Sequence, residues 1–151
     1  MISLIVFLHV SAAAVWVGGM VILRGIVHRA IATLSSPTQR LEVTFFLLER
    51  FLQLVFVCIL VLLGTALYLV EYWSLLDMAS WAFYGKILIF TLMLLVYTAV
   101  VSRLKKAQNT YANNDVTTTV FWLRPIARWM IPLNILLGAF IFYLGILLRG
   151  L

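Results

Sequence analysis

The stretch from residue 8 to residue 29 reads LHVSAAAVWVGGMVILRGIVHR, and it decides the fold. Together with the apolar residues before it, this stretch is long enough to cross a lipid bilayer, which takes about 20 apolar residues in a helix. It also contains His9 and His28, the two histidines of the chain. A histidine is costly to hold among lipid tails, so His9 is a candidate functional residue.

The composition of the whole chain places it in a membrane. Of the 151 residues, 65% are hydrophobic and 11% are charged, whereas a soluble domain carries about 25% charged residues. The net charge of +6 comes from basic residues beside apolar segments rather than from a separate basic patch. We therefore expect contacts with lipid head groups and no nucleic-acid partner. A single cysteine, Cys58, excludes an internal disulfide.

Four continuous apolar runs predict four membrane-spanning helices, at residues 4–23, 51–70, 83–103 and 129–148. Barrel strands would alternate in polarity, so these runs favour helices. We therefore predict an all-α membrane protein with a single domain, residues 1–151, folded as an antiparallel bundle of four transmembrane helices.

The first run has no basic leader before it and is typical of a retained span. Ser35-Ser36-Pro37 interrupts the first link, where Ser36 or Thr38 can cap the next helix.

The charges of the links predict the orientation of the bundle. The first and third links are basic, whereas the second is acidic, with Glu71 and Asp77, and is bordered by the aromatic residues Tyr72, Trp73 and Trp81. Basic links remain on the cytoplasmic side, and aromatic residues collect at the membrane surface. We therefore expect a multi-pass protein of the bacterial inner membrane with both termini outside the cytoplasm.

The position of His9 suggests a partner on the third span. His9 and His28 are separated by about 28 Å along a helix that rises 1.5 Å per residue, so they do not bind one metal within one chain. Lys86 lies one turn inside the third span, on the same side of the membrane as His9. Two interpretations remain open for Lys86. It either extends towards the head groups, or it acts as an axial metal ligand or as a cation facing an anionic substrate group.

Other residues of the first span also have two interpretations. Trp16 lies nearly in line with His9 on the helix, because seven residues bring the side chain back close to the same angle. It fills the core or lies against a flat ligand such as a porphyrin. The small residues Gly18 and Gly19 permit close helix packing or leave room for a macrocycle. Arg24 lies on the last turn, where it can pair with Glu49 or with a propionate.

The remaining polar residues exclude several kinds of chemistry. Tyr97 and Asn134 lie within apolar runs, where interhelical hydrogen bonds are the favoured interpretation. No nucleophile–base pair, phosphate-binding loop or pair of carboxylates occurs, which argues against hydrolysis. Copper(I) would require clustered Met, Cys or His ligands, and the sequence has no such cluster.

Residues 8–19, followed by Arg24 and His28, resemble the first helix of the HemJ and CopD families of small membrane proteins. HemJ is the oxygen-independent type of protoporphyrinogen IX oxidase, and CopD is linked to copper resistance. The segment from Glu49 to Gly64 resembles the second helix, while Trp81 and Lys86 resemble the third.

This resemblance implies a four-helix core that binds haem b through His9 and Lys86 as iron ligands. Arg24 and His28 match further positions of the family, and Trp16 joins them as a candidate cofactor-binding residue. The resemblance also implies a homo-oligomer or a subunit of a membrane complex. The chain differs from HemJ in having Tyr97 where HemJ has histidine, and in lacking an acidic residue in residues 129–134.

Three functions follow as hypotheses. The first is a haem-b redox protein, an oxidoreductase that oxidises protoporphyrinogen IX and passes electrons to quinone. The second is a CopD-like copper-handling membrane protein. The third is a non-catalytic small subunit of a respiratory complex, in which His9 is merely hydrogen-bonded.

Overall fold

The computed structural model describes residues 1–72 and 81–147, in which four long helices follow one another. They are α1 (Ile2–Ala32), α2 (Pro37–Tyr72), α3 (Trp81–Ala112) and α4 (Val116–Leu147). Each helix is long and apolar enough to cross a membrane. Large apolar side chains such as Phe7, Leu67 and Leu136 are exposed on the bundle surface. The prediction of an all-α, four-helix, multi-pass membrane protein is confirmed.

The helices continue beyond the predicted spans at the end of the bundle where α1 ends. α2 begins at Pro37 rather than near residue 51, α3 continues to Ala112, and α4 begins at Val116 rather than near residue 129. With 32 residues, α3 extends about 48 Å, which exceeds the roughly 30 Å of a hydrocarbon core. The basic links are therefore largely helical. Residues 73–80 of the second predicted link, which include Trp73 and Asp77, and Leu148 of the fourth predicted span lie outside the described residues.

Two short turns connect the helices at this end. In the first, Ser36 caps α2 by accepting a hydrogen bond from the Gln39 N–H at 3.4 Å, which confirms the predicted cap. In the second, Asn114 adopts a positive φ of 59°. Asp115 Oδ1 then accepts a hydrogen bond from the Thr118 N–H at 3.0 Å. Both turns are short enough to make the connected helices antiparallel neighbours.

Each helix turns one stripe of residues towards the bundle interior. On α1 the buried residues are Ala12, Trp16 and Met20, spaced four residues apart, and on α3 they include Ile89 and Met93. Such spacing places side chains on one helix face. α1 packs mainly against α2, and α3 packs mainly against α4.

Both α1 and α4 contain one π-helical turn. These turns are Leu23–Val27 and Ile126–Met130. In the second turn the Ile131 N–H donates to the Ile126 carbonyl, five residues back, between two prolines that interrupt the regular hydrogen-bond ladder. Because π turns within α-helices often occur at functional sites, the interior beside them is a candidate for a functional role.

Gly138 of α4 sets the closest approach between α4 and α1. A Cβ atom at this position would overlap Val17 Cγ2 and lie 3.1 Å from Val17 Cγ1. Valine has one strongly preferred rotamer in a helix, so it does not easily move aside. Gly138 therefore allows the two backbones to approach, as small residues do between membrane helices.

We expect Gly138→Ala to lower the Tm of the protein in detergent, because overpacking a tight core costs about 1–3 kcal/mol. Thermal unfolding followed by circular dichroism measures the change. Gly18→Ala is the matched control, since nothing lies within 4 Å of a Cβ atom at Gly18. Val17→Ala should restore the Tm of the Gly138→Ala protein. Equal effects of the two glycine substitutions would contradict the assigned contact.

Candidate functional site

His9 is held inside the bundle, near the end where α1 begins. It shares a face of α1 with the buried residues Ala12 and Trp16, and its side chain is half-buried. The His9 Nδ1 atom lies 2.7 Å from Thr65 Oγ1 of α2. This hydrogen bond joins two helices in an apolar interior, where a polar group without a partner is costly.

The surroundings of Thr65 determine which nitrogen of His9 carries the proton. Thr65 Oγ1 lies 2.6 Å from the Val61 carbonyl oxygen, a separation typical of an O–H···O hydrogen bond. A hydroxyl has one proton to donate, so Thr65 donates to Val61 and accepts from His9. His9 Nδ1 is therefore protonated, and Nε2 retains its lone pair. Histidines that bind a metal through one nitrogen are commonly oriented by such a partner at the other.

Lys86 lies on the inner side of α3, in the same region as His9. It precedes the buried Ile89 by three residues and is itself half-buried. The Lys86 ammonium is close enough to the His9 ring for the two groups to interact electrostatically. A Cβ atom at Gly145 of α4 would lie 3.6 Å from Lys86 Nζ. With Thr65 of α2, this region therefore contains one residue from each of the four helices, and we call it the His9 region.

Trp16 fills the core between α1 and α3. It is 2% exposed and meets the Phe90 ring edge to face, with the ring centroids 6.2 Å apart. Nearby, a Cβ atom at Gly19 would lie 2.6 Å from Phe51 Cε2. Gly19 thus permits close packing of α2 on α1. Of the two interpretations of the small residues, close helix packing therefore applies to Gly19.

A cavity lies further along the bundle from His9, next to Trp16. All four helices line it, and its polar lining includes Tyr97 and Asn134. The cavity volume is about 20 Å³, which is room for about one water molecule. Neither His9 nor Lys86 lines this cavity, and it is too small for a porphyrin. A macrocycle at His9 would require the surrounding side chains and helices to move apart.

Arg24 and His28 lie away from the His9 region. Both are exposed, and Arg24 is about 22 Å from His9 along α1. Glu49, a predicted partner of Arg24, is also exposed. Of the five predicted site residues, the structure therefore brings together His9 and Lys86, places Trp16 deeper in the core, and separates Arg24 and His28 from them.

The sequence prediction missed Thr65. A threonine in an apolar helix usually bonds to a carbonyl of the preceding turn, as Thr65 also does, so it gives no functional signal by itself. Only the pairing of α1 with α2 places it beside His9.

The predicted interhelical hydrogen bonds of Tyr97 and Asn134 have different outcomes. Tyr97 Oη donates to the Leu52 carbonyl at 3.3 Å, which confirms the first. Asn134 Oδ1 is buried and has no hydrogen-bond partner in the described part of the chain. The second prediction is therefore wrong for this oxygen, because no donor of a neighbouring helix reaches it.

The His9 region offers one imidazole and one amine as potential metal ligands. Within residues 1–72 and 81–147, no three His, Cys, Asp or Glu side chains come together as a metal site. Haem iron has four ligands from the porphyrin and needs only axial ligands from the protein, so the His9 imidazole fits this role.

Comparison of the chain with protein-family models, with curated proteins and with solved structures gives no match.

We expect ¹⁵N NMR of the histidine-labelled protein to show His9 as the Nδ1-protonated neutral tautomer, because the Thr65 hydroxyl directs its proton to the Val61 carbonyl oxygen. The exposed His28 is the internal reference for the His9 signals. Thr65→Val should abolish the tautomer preference of His9 and leave the His28 signals unchanged. An Nε2-protonated His9 in the unsubstituted protein would contradict the assigned hydrogen bond.

Proposed function

We propose that the protein is a haem-b-binding membrane redox protein in which His9 Nε2 binds the iron. The observation that carries this proposal is the hydrogen bond from His9 Nδ1 to Thr65, which leaves the Nε2 lone pair for a ligand. Histidine is a common axial ligand of haem iron. A bound haem b supplies one-electron transfer.

Lys86 is the second proposed iron ligand. Its amine shares the His9 region and lies on an inner helix face. An amine binds iron only after it has lost its proton, whereas in the ammonium form the same side chain would pair with an anionic group such as a propionate. Both roles place Lys86 beside the cofactor.

The chain itself would orient and shield the cofactor. Thr65 fixes the plane and tautomer of His9, and the hydrophobic faces of the four helices exclude water from the ligand. Because the bundle is closed around Trp16, haem binding would require repacking near His9. The free energy of ligation and of burying the macrocycle would offset that rearrangement.

The substrate proposal rests on the resemblance of residues 8–19 to the first helix of HemJ. It supports protoporphyrinogen IX as the compound oxidised and a quinone as the electron acceptor. The CopD-like alternative requires several soft ligands around one copper ion, and no three His, Cys, Asp or Glu side chains come together among the described residues. Haem ligation, which needs only one or two side chains, is therefore the better-supported function.

We expect the purified protein to show a Soret band that shifts on reduction, and His9→Ala to lose it. Visible absorption spectra of protein purified from haem-supplied cells measure haem per chain. His28→Ala is the matched control, because it removes the other histidine, which is exposed. Thr65→Val should retain the ligand but weaken haem binding by about 10–100-fold, as loss of a hydrogen bond to a metal ligand does. Stoichiometric haem in folded His9→Ala protein would refute the assignment.

We expect Lys86→Ala to change the haem spectrum more than His28→Ala does, because only Lys86 shares the region of His9. Electron paramagnetic resonance of the oxidised protein reports the axial ligands directly. Lys86→Arg, which retains charge but does not ligate iron, separates ligation from pairing with a propionate. A larger spectral change in His28→Ala than in Lys86→Ala would overturn the proposed pairing.

A further inference from the structure

Asn134 lines the cavity beside Trp16 and carries a buried side-chain oxygen without a partner among the described residues. The residue is 4% exposed, it lines the cavity, and its Oδ1 atom has no hydrogen-bond partner in the described part of the chain. Within a membrane-spanning bundle, a buried carbonyl oxygen is stabilised only by a donor that reaches it there. The donor must therefore belong to a bound molecule rather than to one of the side chains that surround Asn134.

Tyr97 provides a second polar group on the wall of the same cavity. Its hydroxyl donates its proton to the Leu52 carbonyl at 3.3 Å, so its oxygen can still accept a hydrogen bond. The cavity thus offers two acceptors, one on α3 and one on α4, within an otherwise mostly apolar lining. A molecule that fits must be small and must donate two hydrogen bonds.

We propose that the cavity is a binding site for one resident water molecule that bridges Asn134 and Tyr97. The cavity volume of about 20 Å³ exceeds the roughly 10–15 Å³ that a water molecule requires. The water donates one hydrogen bond to Asn134 Oδ1 and the other to Tyr97 Oη. Through the bond from Tyr97 to Leu52, this bridge connects α4, α3 and α2.

The two π-helical turns beside the cavity explain why the cavity exists. Leu23 is the first residue of the π-helical turn in α1, Met130 is the last residue of the turn in α4, and both line the cavity. A π turn widens a helix locally and shifts the side chains that follow it. The two turns therefore leave a gap in the packing, and the bridging water fills it.

A double-mutant cycle tests the bridge in the apo protein, independently of haem. Asn134→Leu and Tyr97→Phe each remove one acceptor and should each lower the Tm measured by circular dichroism. If one water serves both residues, the double substitution should lower the Tm by clearly less than the sum of the single effects. Tyr97→Phe also removes the Tyr97–Leu52 hydrogen bond. This loss occurs in the single Tyr97→Phe variant and in the double variant, so it cancels from the interaction between the two substitutions.

The matched control cycle pairs Asn134→Leu with Ile89→Ala, a buried residue of α3 that does not line the cavity, and should be additive. An increase in Tm on Asn134→Leu, or additivity of the Asn134 and Tyr97 substitutions, would overturn the proposal. If a variant does not fold, the unsubstituted protein decides the question. NMR should then detect a long-lived water next to the Asn134 side-chain amide, and its absence would equally refute the bridge.

Discussion

A polar group inside a bilayer must find its hydrogen-bond partner within the protein, and this constraint organises the whole bundle. The backbone meets the constraint by forming helices, whose carbonyl and N–H groups bond to each other. The few polar side chains must meet it by reaching another helix. The hydrogen bond of His9 to Thr65 is the clearest case, since it joins α1 to α2 in the apolar interior. It also determines the tautomer of the ring and hence the chemistry that the site offers.

Among the described residues, the His9 region and the cavity at Asn134 are two polar positions at different depths, and they are built differently. The His9 region collects groups that can exchange protons or bind a metal, with an imidazole next to an amine. The cavity at Asn134 offers only neutral acceptors. Trp16 lies between them and is almost fully buried, so it separates the two positions with an apolar layer. Because Trp16 also lines the cavity, a ligand that displaced it from the His9 side would disturb the water site as well.

The sequence predicts the architecture well because hydropathy alone determines the number of spans. It also identifies His9 and Lys86, since a polar residue stands out against an apolar run. The helix ends are less predictable, because residues 104–112 and 116–128 are polar enough to suggest a link yet compatible with continued helix. Thr65 could not be identified, because its importance depends on which turn of α2 faces His9. The cavity likewise arises from the packing of four helices around two π turns, and no single segment encodes it.

The tightly packed interior of the bundle limits how a ligand can reach the lone pair on His9 Nε2. An imidazole in a tight core normally has hydrogen-bond partners at both nitrogens, because a donor or acceptor without a partner is costly to bury. His9 is only half-buried, so part of the residue is accessible from outside the bundle. The hydrogen bond to Thr65 then orders the ring before any ligand arrives, so little conformational entropy remains to be lost on binding. An imidazole that receives a ligand from the side of the bundle requires such partial exposure.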